Sequence, residues 1–504
     1  MKRKLLSFTL ASLMTVTVVP VFAGASDNSL TVAFARELES LDAYMNTDRD
    51  GITLARHIWD GLVYRDQKTG EYVGNLATGW SWIDNTTLEF KLRKGVVFHN
   101  GEAFNADDVV ATMNFVAKPE NGVKTQRNVA WIAGAEKVDD FTVRVLLKEP
   151  FPAALEYLAG PVVIYPDEYF AKAGTKGMGI TPVGTGPYKV TGHEPGKRID
   201  LVRYEGYHAD SPKGRPSIEK ITWRIIPEAN TQFAELVSGG VEWIWQVPAD
   251  QAERFSSLGN FTVTNESTMR IGYLGFDASD RYGETPLDDV RVRRAIAHAI
   301  DRQGMVKSLL KGASIVVNSA CFPSQFGCEL DVPTYEFDPG KARALLAEAG
   351  YPDGFEIPFY AYRDRSYAEA MMANLSGVGI TPSLTYLKYA ALRDKVQNGE
   401  VPFLFMTWGS YSINDVSAIT SAFFRGGKDD YAHDPEVIEW LTEADSITDP
   451  AKRKELYSKA LKKIADQVYW LPLFSYNTNY IYNADLDFTP TPDEIPRFFS
   501  ASWK

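Results

Sequence analysis

Apolar and polar residues alternate along several short segments of the chain, which is the pattern of a β-strand with one buried and one exposed face. The clearest of these segments are residues 86–92, 142–147, 199–204 and 221–226. Residues 402–408 are instead apolar almost throughout, which predicts a strand that is buried on both faces.

Helix starts are marked by Asp-Pro pairs that begin at Asp338, Asp434 and Asp449. An aspartate at the N-cap accepts hydrogen bonds from the first free N–H groups, and proline suits the first helical position, where no N–H is needed. A further helix is predicted over residues 105–113, with Asp108 as the capping-box partner. Helices and strands therefore alternate, and the predicted fold class is α/β.

Residues 287–300 have the apolar spacing of an amphipathic helix. Arg291, Arg293 and Arg294 fall outside the apolar stripe. This run of arginines is therefore interpreted as a solvated helix face.

The length of 504 residues exceeds what one hydrophobic core supports, because single cores stop growing near ~250–300 residues, so about two or three domains are expected. Hydrophobic residues make up 45% and charged residues 23% of the chain, which is typical of a globular protein and excludes a collagen, a coiled-coil rod and bulk disorder. The net charge of −12 disfavours nucleic acid and anionic membrane surfaces as partners.

Residues 1–23 have the layout of a secretory signal sequence. Lys2, Arg3 and Lys4 form a positive start, residues 5–21 are mainly apolar, and a small-residue cleavage site follows. A membrane anchor fits less well, since Ser, Thr and Pro interrupt the stretch, which is shorter than the ~20 residues that span a bilayer. No cysteine lies near the cleavage site to carry a lipid. The mature chain is predicted to be soluble and exported.

Cys321 and Cys328 are the two cysteines of the chain. In an exported protein such a pair predicts one disulfide, and the Pro and Gly between them predict a loop that brings the sulfur atoms together. A redox-active pair is the alternative, but the spacing is not Cys-x-x-Cys.

The common motifs of catalysis are missing from the sequence. Neither Ser238 nor Ser376 has the spacing of the Gly-x-Ser-x-Gly elbow, and the six histidines form no His-Glu-x-x-His motif. Gly184-Thr-Gly186 begins like a dinucleotide-binding loop, but Pro187 removes an N–H that phosphate binding needs. Acidic pairs are interpreted as caps or turns, although a secreted glycan hydrolase stays an alternative, since its acids lie far apart in sequence. We expect no cofactor and no metal.

Aromatic residues are abundant, with 11 Trp, 25 Tyr and 27 Phe. Most of them must pack in cores. Tyr and Trp also suit an enclosed cleft that holds a ligand between aromatic faces, which favours a binding protein.

Four long blocks of the sequence resemble those of a known family. They are LEFKLRKGVVFHNGEAFNADDVVAT at 88–112, VGTGPYKV at 183–190, PLDDVRVRRAIAHAIDR at 286–302 and DPGKARALLAEAGYPDGFE at 338–356. The chain resembles the extracellular solute-binding proteins of family 5, the dipeptide/oligopeptide-type receptors of ABC importers. The glycines at 95, 101, 184 and 186 within these blocks are expected at turns.

The resemblance implies the large, three-subdomain type of the two-lobed periplasmic binding protein fold, with a hinge between the lobes. It implies a first lobe of residues 24–71, 186–276 and 477–504, an inserted subdomain of residues 72–185 and a second lobe of residues 277–476. It further implies a monomeric periplasmic receptor, not an enzyme, that closes on its ligand and delivers it to a membrane permease.

The expected ligands are short peptides or peptide-like amino-acid conjugates. Peptide-binding members often carry an acidic residue after a strand-ending Trp-Gly, followed by Asp-Pro, whereas this chain has Tyr411 near that position and no proline after Asp415. An opine or an oligosaccharide is therefore the alternative ligand of the same fold.

Five candidate ligand contacts come from the expected second lobe. Arg365 is the candidate partner of a ligand carboxylate, although a surface pairing with a neighbouring acid fits it equally well. Trp408 closes the buried strand and is a candidate stacking surface. Ser410, Tyr411 and Asp415 are candidates for hydrogen bonds or for pairing with a ligand amine, with a helix cap as the alternative role of Asp415.

Three candidates come from the expected first lobe, because both lobes must contribute if closure is to depend on the ligand. Tyr44 and Asn46 lie in the loop that follows the opening strand. Trp245 ends a Trp-Ile-Trp segment and is the third candidate.

Overall fold

The computed structural model describes residues 24–46 and 49–504. The predicted signal sequence, residues 1–23, lies outside the described residues. None of the helices in the two described ranges combines the length and the apolar character that a membrane span requires.

Strands and helices alternate along the described chain, as the sequence predicts. The strands are β1 (Ser29–Phe34), β2 (Val63–Arg65), β3 (Tyr72–Gly74), β4 (Ala77–Asp84), β5 (Thr87–Leu92), β6 (Ile132–Asp139), β7 (Thr142–Leu147), β8 (Tyr188–Glu194), β9 (Arg198–Arg203), β10 (Lys220–Ile225), β11 (Trp243–Trp245), β12 (Phe261–Phe276), β13 (Phe355–Ala361), β14 (Ile380–Tyr386), β15 (Phe403–Trp408), β16 (Trp470–Asn483), β17 (Leu486–Asp487) and β18 (Ser502–Trp503). The helices are α1 (Gly24–Asp27), α2 (Arg49–Ile58), α3 (Ala106–Val116), α4 (Ala154–Leu158), α5 (Asp167–Met178), α6 (Ala229–Ser238), α7 (Ala249–Ser256), α8 (Val290–Ala299), α9 (Arg302–Met305), α10 (Pro339–Glu348), α11 (Arg365–Ser376), α12 (Tyr389–Gln397), α13 (Ser417–Phe423), α14 (Pro435–Ala444) and α15 (Pro450–Asp466).

The largest sheet has ten strands in the order β14-β13-β15-β12-β16-β11-β1-β10-β9-β8, and a second sheet has four, in the order β4-β5-β7-β6. We call the part with β1 to β11, including the four-stranded sheet, the first lobe, and the part with β13 to β15 the second lobe. The core of the first lobe contains Phe34 stacked on Trp223, with ring centres 3.5 Å apart. The core of the second lobe contains Phe359 and Phe403.

The long strands β12 and β16 connect the two lobes. They pair in antiparallel fashion, with a shift of register between Ser267 and Ile271. On one side of the shift β16 pairs with β11, and on the other side β12 pairs with β15. A two-stranded ribbon thus joins the lobes, which is the kind of connection that permits hinge closure.

The predicted local elements are confirmed. The five predicted strands correspond to β5, β7, β9, β10 and β15, with ends displaced by at most one residue. Asp338, Asp434 and Asp449 each accept hydrogen bonds from backbone N–H groups in the first turn of the helix that follows. The capping box of Asn105 and Asp108 is also present.

The prediction that Arg293 faces solvent is wrong. Arg291 and Arg294 are partly exposed, but Arg293 retains only 3% of its exposed surface. Its guanidinium donates to the carbonyl oxygens of Leu287, at 2.6 Å, and Gln467, at 3.0 Å. Arg293 therefore ties helix α8 to a segment that lies far away in sequence.

The prediction that Gly184 and Gly186 serve turns is also wrong, whereas Gly95 and Gly101 do adopt positive φ angles, of 78° and 95°. A Cβ atom at Gly184 would lie 2.1 Å from the carbonyl oxygen of Ile58. At Gly186 it would lie 2.5 Å from the carbonyl carbon of Ile58. These two glycines allow two backbone segments of the first lobe to approach each other closely.

Candidate ligand-binding cleft

A cavity of about 640 Å³ lies between the two lobes, beside the ribbon of β12 and β16. Its walls include Arg36, Gln246 and Arg363, which follow the ends of β1, β11 and β13 by one or two residues. Ligands of open α/β sheets bind outside the carboxyl ends of the strands. The cavity occupies that position in both lobes at once, which makes it the candidate binding cleft.

Four arginines line the cleft. Arg36 and Arg49 belong to the first lobe, Arg270 lies on β12 of the connecting ribbon, and Arg363 belongs to the second lobe. Among the described residues that line it, Glu494 is the one acidic side chain. The cleft therefore has a cationic character that the chain as a whole, with a net charge of −12, does not have.

The arginines are held in place by contacts in the walls. Arg49 forms an ion pair with Glu494 at 3.2 Å. Arg363 pairs with Asp364 at 2.8 Å, and its guanidinium carbon lies 4.8 Å from the centre of the Tyr476 ring. Such fixed guanidinium groups are suited to binding a carboxylate through two parallel hydrogen bonds.

The loop that follows β15 contacts the first lobe. Its residues Ser410, Tyr411 and Ser412 all have positive φ angles, of 49°, 50° and 64°, which residues other than glycine rarely adopt. The hydroxyl of Ser412 donates to the carbonyl oxygen of Asp493 at 2.8 Å and accepts a hydrogen bond from Arg49. This strained loop thus makes part of the contact between the lobes.

Tyr411 also meets the first lobe through its ring, which the guanidinium of Arg127 covers. Burial lowers the pKa of Arg127, and the neighbouring Tyr411 opposes this effect. A cation–π contact between Arg127 and Tyr411 therefore links the two lobes.

A second, enclosed cavity of about 60 Å³ lies where the first lobe meets this loop. Its polar lining is already paired within the protein: Arg497 binds Asp493 at 2.6 Å, and Arg65 binds Glu156 at 3.3 Å. Burial alone would raise the pKa of Asp493, but the guanidinium of Arg497 leaves it below its ordinary value. We interpret this cavity as part of the framework of the first lobe, since its charges are satisfied internally.

The structure places Arg365 outside the cleft. Arg365 begins helix α11, is 63% exposed at its side chain, and pairs with Glu369 at 2.8 Å. Arg363 lines the cleft instead. Because Asp364, between the two arginines, has a left-handed backbone conformation, the chain changes direction there.

The other predicted ligand contacts of the second lobe lie in two places, and three of them are found together where β15 ends. Trp408 donates from its indole nitrogen to the carbonyl oxygen of Ala418 at 2.8 Å, and its ring centre lies 4.7 Å from that of Tyr411. Ser410 is fully buried, and Tyr411 is 40% exposed. These three residues lie together at the start of the loop that contacts the first lobe.

Asp415 is buried in the interior of the second lobe. It pairs with Arg453 at 3.0 Å. Its Oδ1 atom also accepts a hydrogen bond at 3.0 Å from the N–H of Ser417, the first residue of helix α13, whose N-cap is Val416. Asp415 thus finds its partners within the second lobe, while Val416 holds the N-cap position of the helix.

The three predicted contacts of the first lobe are buried away from the large cavity. The hydroxyl of Tyr44 donates to the carbonyl oxygen of Val163 at 2.6 Å. Asn46 donates to the carbonyl oxygen of Ser40 at 2.7 Å. Trp245 packs in the core, with its ring centre 5.6 Å from that of Phe34.

Sequence reasoning missed Arg36, Arg49, Arg270 and Arg363. A signal for two of them is present in the sequence, because Arg36 and Arg363 follow strand-like segments at the end where α/β proteins bind ligands. No local signal distinguishes Arg49 or Arg270, which reach the cleft through the packing of the lobes. Within the described ranges, no group of three or more His, Cys, Asp or Glu side chains is arranged to hold a metal ion.

Comparison with known proteins places the chain among related sequences. Residues 71–431 match the model of the family described as bacterial extracellular solute-binding proteins, family 5 Middle. The glutathione-binding protein GsiB of Salmonella choleraesuis is 28% identical over 480 residues, which cover 92% of each chain. The relative named glutathione-binding protein GsiB from Escherichia coli K12 is 27% identical over 460 residues, with 88% of each chain covered.

Two solved structures show the same fold. HbpA2 from Haemophilus parasuis superposes with a TM-score of 0.84 at 23% identity, over 94% of this chain and all of the other. The periplasmic binding protein DppA from Helicobacter pylori, in complex with the peptide STSA, superposes with a TM-score of 0.73 at 23% identity, over 94% of this chain and 98% of the other. The predicted two-lobed α/β fold is thereby confirmed, and the chain belongs to the bacterial extracellular solute-binding proteins of family 5.

Proposed function

We propose that this protein is a receptor that binds short peptides or peptide-like amino-acid conjugates in the cleft between its lobes and delivers them to the permease of an ABC importer. The observation that carries the proposal is the cavity of about 640 Å³ to which both lobes contribute arginines. Every free peptide ends in a carboxylate, and guanidinium groups recognise carboxylates through two hydrogen bonds. The relatives named for glutathione binding and the solved complex with a tetrapeptide support the same ligand class.

We propose that the receptor acts in the periplasm as a monomer, without catalysis, after removal of residues 1–23. The proposed lobe boundaries are those expected from the sequence, with residues 72–185 inserted in the first lobe and residues 277–476 forming the second. The four-stranded sheet, which falls within the proposed insertion, supports this division. Trp408, Ser410 and Tyr411 are proposed to border the bound ligand, because their loop contacts the opposite lobe.

Titration calorimetry on the mature protein, unfolded and refolded to remove any bound ligand, tests the proposal. The probes are glutathione, the dipeptide Met-Leu, the tetrapeptide Ser-Thr-Ser-Ala, an opine and an oligosaccharide. A peptide present at 100 times its Kd should also raise the free energy of unfolding by about 2.7 kcal/mol. Binding of the opine or the oligosaccharide alone, or hydrolysis of any probe detected by mass spectrometry, would contradict the proposal.

Two variants test whether the cleft is the site. Arg363→Met removes a guanidinium from the cleft, and Arg365→Met removes one of the same kind from the exposed surface two residues later. We expect only Arg363→Met to weaken peptide binding. Equal affinity of both variants and of the unaltered protein would move the site elsewhere.

A further inference from the structure

The guanidinium of Arg363 is held by two neighbouring side chains at the edge of the cleft. Its Nε atom donates to the Oδ2 atom of Asp364 at 2.8 Å. The same oxygen atom accepts a hydrogen bond from the hydroxyl of Tyr476 at 2.6 Å. The ring of Tyr476 in turn lies against the guanidinium, whose carbon is 4.8 Å from the ring centre. Arg363 is thus fixed both by a carboxylate and by an aromatic face.

The two neighbours of Arg363 come from different elements of the fold. Asp364 lies at the N-cap position of helix α11, with a left-handed backbone at φ 51° and ψ 57°. Tyr476 lies on β16 of the connecting ribbon and lines the cleft. Burial, together with the charge of Asp364, raises the pKa of Tyr476 well above its ordinary value, so the hydroxyl keeps the proton that it donates. The three side chains therefore connect the second lobe to the ribbon.

The contact with Asp364 uses only part of the guanidinium group. A guanidinium carries five N–H donors, and the Nε atom carries one of them. A carboxylate binds an arginine best through two parallel N–H groups. The contact at Nε of Arg363 therefore leaves the end of the group formed by Nη1 and Nη2 outside this ion pair.

Fixing an arginine before the ligand arrives strengthens binding. A mobile arginine side chain loses rotamer freedom when it binds a ligand, and this loss lowers affinity. Asp364 and Tyr476 restrict Arg363 already in the protein without ligand. Their effect should be felt by the group that the arginine binds, a carboxylate, far more than by the rest of a ligand.

We propose, on the basis of the proposed function, that Asp364 and Tyr476 are positioning residues that orient Arg363 towards the carboxylate at the end of a peptide ligand. Acting through this arginine, they set the preference of the receptor for ligands with a free carboxylate over ligands with a neutral end.

Pairs of probes that differ only in the terminal carboxylate measure this preference. Titration calorimetry compares the dipeptide Met-Leu with its C-terminal amide, and the tetrapeptide Ser-Thr-Ser-Ala with its amide. We expect the free acid of each pair to bind at least about 30-fold more tightly to the unaltered protein, because the amide leaves a desolvated guanidinium without a charged partner. Equal affinity within both pairs would overturn the inference and leave a receptor that binds peptides. Failure of all four probes to bind would overturn the proposed function as well.

Two conservative variants test the positioning residues. Asp364→Asn removes the charge but keeps a residue type that tolerates the left-handed backbone, and Tyr476→Phe keeps the ring but removes the hydroxyl. In each variant we expect the preference for acid over amide to fall at least about fivefold. Glu369→Gln and Tyr386→Phe are the matched controls, since they make the same changes around the exposed Arg365, and they should keep the preference.

The ratio of the two affinities separates positioning from a purely structural role. Structural damage would weaken acid and amide alike and leave their ratio unchanged, which would overturn the inference. A ratio that rises in Asp364→Asn would also overturn it, because Asp364 would then compete with the ligand for Arg363. In the Arg363→Met background, Asp364→Asn should not change the ratio further, since its effect passes through the guanidinium. Circular dichroism checks that each variant folds, and if one does not, the other decides.

Discussion

The carboxylate of Glu156 accepts a hydrogen bond from the backbone N–H of Asn414, with 2.8 Å between Oε1 and the nitrogen. Glu156 lies on helix α4 of the first lobe, and Asn414 lies in the loop after β15 of the second. The second carboxylate oxygen binds Arg65 at 3.3 Å and the hydroxyl of Tyr72 at 2.9 Å. A buried carboxylate therefore joins the two lobes. Both of its oxygen atoms have partners within the protein.

Replacement of Glu156 by alanine should favour the open form. The substitution removes the acceptor for Asn414 and leaves the partly buried guanidinium of Arg65 without its carboxylate, at a cost of about 1–3 kcal/mol. Small-angle scattering of the ligand-free variant should give a larger radius of gyration than that of the unaltered protein. Glu168→Ala, at an exposed glutamate of helix α5, is the control and should leave the radius unchanged. An unchanged radius in Glu156→Ala as well would show that this contact does not hold the lobes together.

Asp415→Asn should destabilise the second lobe. The substitution leaves Arg453, which is 5% exposed, without its charged partner, and breaking one side of a buried ion pair costs about 3–5 kcal/mol. Denaturant unfolding at neutral pH measures the loss. Glu455→Gln, at the exposed surface of helix α15, serves as the control and should not change the midpoint measurably. If Asp415→Asn unfolds like the unaltered protein but loses ligand binding, Asp415 belongs to the binding site after all.

The disulfide between Cys321 and Cys328 closes a loop that supports the contact between the lobes. Within this loop, the N–H of Phe326 donates to the carbonyl oxygen of Asn414 at 2.9 Å, and Gln325 donates to that of Ile413 at 2.9 Å. The short ring stabilises the folded state by about 2.5 kcal/mol in the chain-entropy model.

Replacement of both cysteines by serine should therefore loosen residues 413–416 more than the rest of the chain. Hydrogen exchange followed by mass spectrometry should show faster exchange at these amides, while the four-stranded sheet of the first lobe serves as the internal reference. Uniformly faster exchange throughout the chain would mean that the disulfide stabilises the fold as a whole rather than this loop.

Gly186→Ala should destabilise the first lobe. A Cβ atom there would lie 2.7 Å from the carbonyl oxygen of His57, and this contact is between rigid backbone segments. Overpacking of this kind costs typically about 1–3 kcal/mol. Gly259→Ala is the matched control, since nothing lies within 4 Å of a Cβ atom at that position. A lower midpoint of thermal unfolding for Gly186→Ala alone would agree with this expectation, and equal midpoints would contradict it.

The sequence by itself determined the local elements and the family. The N-cap of Asp338 and the buried strand β15 follow from interactions within a few residues, which the order of side chains specifies directly. The family follows from four long blocks, because so many residues in register leave little freedom for another fold. The α/β class and the two-lobed architecture were therefore predictable before any coordinates.

Only the tertiary structure decided which charged side chains face the cleft. Arg363 and Arg365 have the same chemistry and lie two residues apart, yet the left-handed conformation of Asp364 separates a cleft residue from a surface residue. Arg293 can be buried because it donates to the carbonyl of Gln467, and Asp415 can be buried because it pairs with the guanidinium of Arg453. Both partners are distant in sequence. Such pairings depend on how the lobes pack, and neither composition nor periodicity encodes them locally.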